Sequence, residues 1–71
     1  MDLAEYIKLC LVKRKTTLSR LAELTEQSQP NLSNKMKRNH FDSLELERIA
    51  QALNADLEIR FIDKETKEPL I

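Results

Sequence analysis

With 71 residues, 41% of them apolar and 34% charged, the chain has room for one small domain and none for a cofactor-binding fold with a separate substrate domain. Its 12 basic residues balance its 12 acidic ones, which excludes a uniformly basic nucleic-acid coat and an acidic disordered tail as descriptions of the whole chain. Glycine is absent and aromatic residues make up 4%, against a glycine-rich phosphate loop and against a sandwich of many glycine turns, so the composition favours helices.

Residues 2–14 place Leu3, Ile7, Cys10 and Leu11 at helical spacing behind Asp2, which serves as a cap, and Lys13, Arg14 and Lys15 suit the negative end of the helix dipole. Tyr6, Leu9 and Val12 lie off that stripe, so this helix is either deeply packed or touches a second subunit. Thr17 caps a second short helix whose buried face is expected to be Leu18, Leu21, Ala22 and Leu24. After the polar stretch 25–29, Ser28 caps a third helix over 29–37, and Pro30 falls in its first turn, where no backbone donor is needed. Leu32 and Met36 are the clear apolar positions of this helix, so it is either loosely attached or has a second partner for its polar face.

RNHFDS reads as a loop anchored by Phe41, and the fourth helix begins at Asp42 or Ser43, with Asp42 and Glu45 at capping-box spacing. Leu46, Ile49, Ala50 and Leu53 share one face of it, and Asn54 is the expected stop. From Ala55 the period changes to two: Leu57, Ile59 and Phe61 alternate with Asp56, Glu58 and Arg60, as in a strand with one buried face. DKETK follows as a polar turn, and EPLI is a candidate return strand that Pro69 restricts to an edge. The expected architecture is a single mostly α domain over 1–71, of four to five short helices with a C-terminal β-strand or hairpin over 55–71.

The neutral total conceals a dipole. Residues 8–38 carry eight basic and two acidic side chains, a net +6, whereas residues 39–71 carry four basic and eight acidic, a net −4. Distant carboxylates are screened beyond about 8–10 Å, so a phosphate backbone meets the local charge of the second and third helices. Cys10 and His40, the sole residues of their kinds, supply neither an intrachain disulfide nor a metal site, so Cys10 reads as a core filler and His40 as a loop residue. The expectation is no cofactor, no metal and a reducing, cytoplasmic setting. Lys8 interrupts the apolar run 7–12 and acidic residues precede it, unlike a secretion signal, and nothing approaches the roughly 20 apolar residues of a membrane span.

LSRLAELTEQSQPNLSNKMKR, residues 18–38, resembles the helix-turn-helix of the phage Cro and repressor group, the Xre family. The matching points are the Leu21-Ala22 pair, Ser28 at the cap, Leu32 ten residues after Ala22, and Ser33 following it. With NHFDSLELERIAQALNADLEI the likeness extends over about residues 3–62, and the tail resembles small regulators that append a strand or hairpin. The departures are Glu26 where the turn usually has glycine, Gln27 where an aliphatic residue is common, and Lys35 and Met36 in place of an aliphatic and acidic pair. Glu26 would then either take the left-handed conformation at a cost of about 1 kcal/mol or mark a turn of different shape.

The resemblance implies a lambda-repressor-like DNA-binding domain whose third helix enters the major groove. Gln29 and Asn34 are then the first base-edge candidates, because a carboxamide both accepts and donates, with Asn31 second, for a base or a phosphate, and Lys35 for a guanine edge or a phosphate. Thr17, Ser19, Ser28, Lys37, Arg38 and Asn39 are assigned to phosphates. The implied function is a transcriptional regulator, a repressor by preference, acting as a homodimer on palindromic double-stranded DNA, with Leu57, Ile59 and Phe61 as the dimerisation edge. Whether that edge closes in cis as a hairpin or between subunits is left open; Lys67, where a hairpin turn prefers glycine, weighs slightly against the cis form. The alternative is a protein-interaction module of the same shape, an antitoxin or phage-encoded inhibitor. No nucleophile, base or phosphate loop supports an enzyme.

Overall fold

The computed structural model describes residues 2–71, and four helices carry its order: α1 (Leu3–Lys13), α2 (Leu18–Leu24), α3 (Gln29–Arg38) and α4 (Ser43–Ala52). Each begins on a side chain that accepts a hydrogen bond from an otherwise unpaired N–H of its first turn. Asp2 accepts from Glu5, Thr17 from Arg20, Ser28 from Asn31 and Asp42 from Glu45. All four caps coincide with those expected from sequence.

The helix ends show how a glycine-free chain turns. Lys15, Glu26, Asn39 and Asn54 stand just past the four helices with φ of 54°, 57°, 53° and 55°, in the left-handed region. Around each, two backbone N–H groups fold back onto the last carbonyls, as Glu26 N–H does to Glu23 and Gln27 N–H to Ala22, at 3.1 and 3.0 Å. Lys15 and Thr16, Asn39 and His40, and Asn54 and Ala55 repeat the arrangement. The turn geometry usually associated with glycine is therefore present without it. Asn39 gains a second role, since its side-chain oxygen accepts from Ala4 N–H at 3.0 Å and ties the end of α3 to the start of α1.

Leu21 and Ala22 of α2 meet Leu32 and Met36 of α3, joined by Ala4, Ile7 and Leu11 of α1 and by Ile49 and Leu53 from the fourth helix and its end. Leu32 is fully enclosed, with 0% of its surface exposed, and Ala22 is small enough for α3 to cross α2 closely. Cys10, Leu18, Phe41 and Ala52 are half-buried against this core, as expected of Cys10 and Phe41. Leu24 departs from expectation: it is exposed at the last position of α2, because at 3.6 residues per turn it falls about 110° round the helix from the buried Leu21–Ala22 direction. Leu46 and Ala50 are half-buried, and α4 has Ile49 as its fully buried side chain.

The C-terminal strand is not found. Among the described residues no strand forms, and an isolated antiparallel bridge between Ile62 and Pro69 replaces the expected hairpin ladder. The chain does reverse between them: Asp63 Oδ1 accepts from Glu65 and Thr66 N–H, and Lys67 takes a φ of 63°. Residues 55–60 have no neighbouring strand, and the return segment is short and contains Pro69, which lacks a donor. Leu57, Ile59 and Phe61 are consequently exposed, Phe61 by 77%. The projecting tail also explains a radius of gyration of 13.5 Å, above the about 11 Å of a compact chain of this length.

Candidate nucleic-acid interface

The α2–turn–α3 unit is built by opposite demands on the two sides of α3. Leu32 and Met36, four residues apart, are buried, which turns Asn31 and Asn34 to the exposed surface, while Gln29, three residues before Leu32, is exposed as the first residue of the helix. Ser28 ends the turn and caps the helix, and Pro30 occupies its first turn without forfeiting a helical hydrogen bond. The last turn carries Lys35, Lys37 and Arg38, and the latter two extend into solvent.

A shallow depression brings Asn31, Asn34, Lys35 and Arg38 together with His40, Asp42 and Glu45. Gln29 sits at the other end of α3, on its first turn. The side chains expected at phosphates divide in two. Thr17 and Ser28 use their hydroxyl oxygens as helix caps, and Asn39 uses its oxygen on Ala4. Ser19, Lys37 and Arg38 are exposed.

A hydrogen-bonded chain underlies this face. Thr25 Oγ1 donates to the carbonyl of Leu21 at 2.8 Å and accepts from Gln27 Nε2 at 2.8 Å, which fixes the direction of the Gln27 amide. Gln27 Oε1 accepts from Asn31 Nδ2 at 3.0 Å and from Lys35 Nζ at 3.3 Å. Asn31 thereby presents its acceptor oxygen away from Gln27. Lys35 Nζ also pairs with the carboxylate of Glu45 on α4, in a site where the two side chains are 30% and 19% exposed.

This arrangement alters two sequence expectations. Lys35, expected to reach a guanine edge or a phosphate, has its charge met within the chain by Glu45. Glu45 donates its backbone N–H to Asp42, but its carboxylate reaches α3 instead of closing a reciprocal capping box. Sequence reasoning passed over Gln27 and Glu45 as functional groups. The four-residue spacing of Gln27, Asn31 and Lys35 was a readable signal for part of the chain, whereas Glu45 arrives only by the folding of α4 against the preceding helices.

Among the described residues no helix is long and apolar enough to cross a membrane. Compared with protein-family models, curated proteins and solved structures, the chain has no significant match.

Proposed function

We propose that this chain is a sequence-specific DNA-binding regulator of the Xre helix-turn-helix type, a repressor in a cytoplasmic setting, with α3 as its reading helix. The observation that carries the reading is the two-sidedness of α3: Leu32 and Met36 anchor it, and a carboxamide-bearing face flanked by Lys37 and Arg38 is left in solvent. Gln29 and Asn34 supply paired donors and acceptors, and Asn31 an acceptor oxygen, suited to base edges in the major groove. Lys37 and Arg38, with Ser19, supply sequence-independent phosphate contacts. The role is one of binding, with no catalytic step and no cofactor.

One domain of this size makes few base contacts, and a homodimer on a two-fold operator doubles them. The exposed tail supports that assembly. Pairing residues 57–61 antiparallel with themselves about Ile59 sets each Glu58 opposite an Arg60 and each Leu57 opposite a Phe61. The two charged side chains already share a face, since Glu58 and Arg60 form an ion pair within the chain.

The test is selection of bound duplexes from a random pool, followed by binding of the selected and a scrambled duplex. Gln29→Ala and Asn34→Ala are expected to lower the ratio of the two affinities, and Lys37→Ala to weaken both about equally. Unchanged discrimination in both carboxamide variants refutes the assignment of α3. The exposed Tyr6, Leu9 and Val12 on α1 favour a second reading, a protein-interaction module. Affinity for duplexes that falls steeply with salt supports the DNA reading, and the absence of any duplex affinity supports the second.

A further inference from the structure

Glu45 has no place in the reading of α3 as a DNA-contacting helix, yet it holds one of the three cations in the last turn of that helix. We propose that Glu45 is a positioning residue that restrains the DNA affinity of α3: by pairing with Lys35 it withholds that ammonium from phosphates, so that Lys35 is a latent backbone contact. The inference rests on the DNA-binding reading above.

Three observations meet here. Lys35 is bound from two sides, by the Glu45 carboxylate and by Gln27 Oε1, whereas Lys37 and Arg38 on the same turn are exposed. The pair is half-buried, where an opposite charge is screened less than at an open surface. Glu45 also stands at the capping-box position of α4, where a carboxylate commonly turns back on its own helix, and it is directed to α3 instead. Lys35 lines the same depression as Asn31 and Asn34, so a release of a few ångströms brings its ammonium to the surface that would meet a duplex.

The experiment is binding of the full chain to a 20-bp duplex of random sequence across a fourfold range of salt, for wild type, Glu45→Gln, Lys35→Ala and the double variant. Each phosphate neutralised contributes about 0.9 to the slope of log affinity against log salt. Glu45→Gln is expected to steepen the slope by about that amount, an extra loss of roughly 3.5-fold over the salt range, and to raise affinity at the low-salt end. Simple removal of a negative charge would act whether or not Lys35 is present. The proposal therefore requires that Glu45→Gln change the slope in the wild-type background and leave it unchanged in the Lys35→Ala background.

Glu45→Gln preserves the shape of the side chain; if it nonetheless fails to fold, Glu45→Ala, at a helix position that tolerates alanine, replaces it with the same expected slope. Wild-type binding with no Lys35-dependent response to the Glu45 substitution overturns this inference alone. No salt-dependent duplex binding by wild type or any variant overturns the DNA-binding reading, and this inference with it.

Discussion

Replacing Glu26 by glycine is expected to stabilise the domain. Glu26 holds a φ of 57°, and the bonds that define its turn, from Glu26 N–H to Glu23 and from Gln27 N–H to Ala22, are made by the backbone and survive the substitution. A side chain with a Cβ in the left-handed region costs about 1–2 kcal/mol, and the greater freedom of glycine in the unfolded chain takes back about 0.4–1 kcal/mol. The midpoints of these ranges give a net gain of about 0.8 kcal/mol. For a chain of this length that raises the melting temperature by about 3–6 °C. Urea unfolding followed by circular dichroism should show a higher midpoint at unchanged slope, since the surface exposed on unfolding is the same. Glu26→Ala, which keeps the Cβ, should leave the midpoint nearly where it is. Asn54→Gly should gain less than Glu26→Gly, because asparagine already tolerates this region. A glycine variant at position 26 that is less stable than wild type would refute the reasoning, for it would mean that the Glu26 side chain contributes more than the strain it carries.

Leu32→Ala removes the most enclosed side chain of the core and should cost about 2–5 kcal/mol, a large share of the total for so small a domain, read as a lowered urea midpoint. If the tails pair about Ile59, Glu58→Arg and Arg60→Glu should each weaken the homodimer, and mixing the two variants should restore dimers by placing arginine opposite glutamate throughout; sedimentation equilibrium on the separate and mixed samples checks this. The Asp63 carboxyl is held below its ordinary 3.8 by hydrogen bonds from the N–H groups of Glu65 and Thr66. A depressed folded value means that the turn's stabilisation is present above 3.8 and is lost as the pH falls through the lower value, so the amide resonances of Glu65 and Thr66 should titrate with a midpoint below 3.8, and a midpoint at or above it would refute the assignment.

What sequence by itself determined about this protein is local. Asp2, Thr17, Ser28 and Asp42 cap the helices because a short polar side chain satisfies a nearby N–H within four residues, and that relation needs no tertiary partner. The anchoring of α3 by Leu32 and Met36 was legible for the same reason, since a four-residue period decides which side faces inward. Glu26 stood out in the sequence as the departure in the turn, with a left-handed residue and a turn of different shape both open, and its φ of 57° decides for the first.

The tertiary structure decided the rest. Alternation in residues 57–61 states that a strand would have one apolar face, but a strand also needs an edge to pair with, and a single chain offers no such edge beyond the contact at Ile62 and Pro69. Leu24 is as apolar as Leu21 and lies in the same turn, yet the packing of α2 turns the Leu21–Ala22 side inward and leaves Leu24 in solvent. The ion pair of Lys35 with Glu45 joins residues ten apart on different helices, and its existence depends on where packing against α2 places α3 and α4. Charge counted along the chain places Lys35 among the cations of the reading helix, whereas packing sets a carboxylate against it, because electrostatic partners are chosen by distance in space and not by position in sequence.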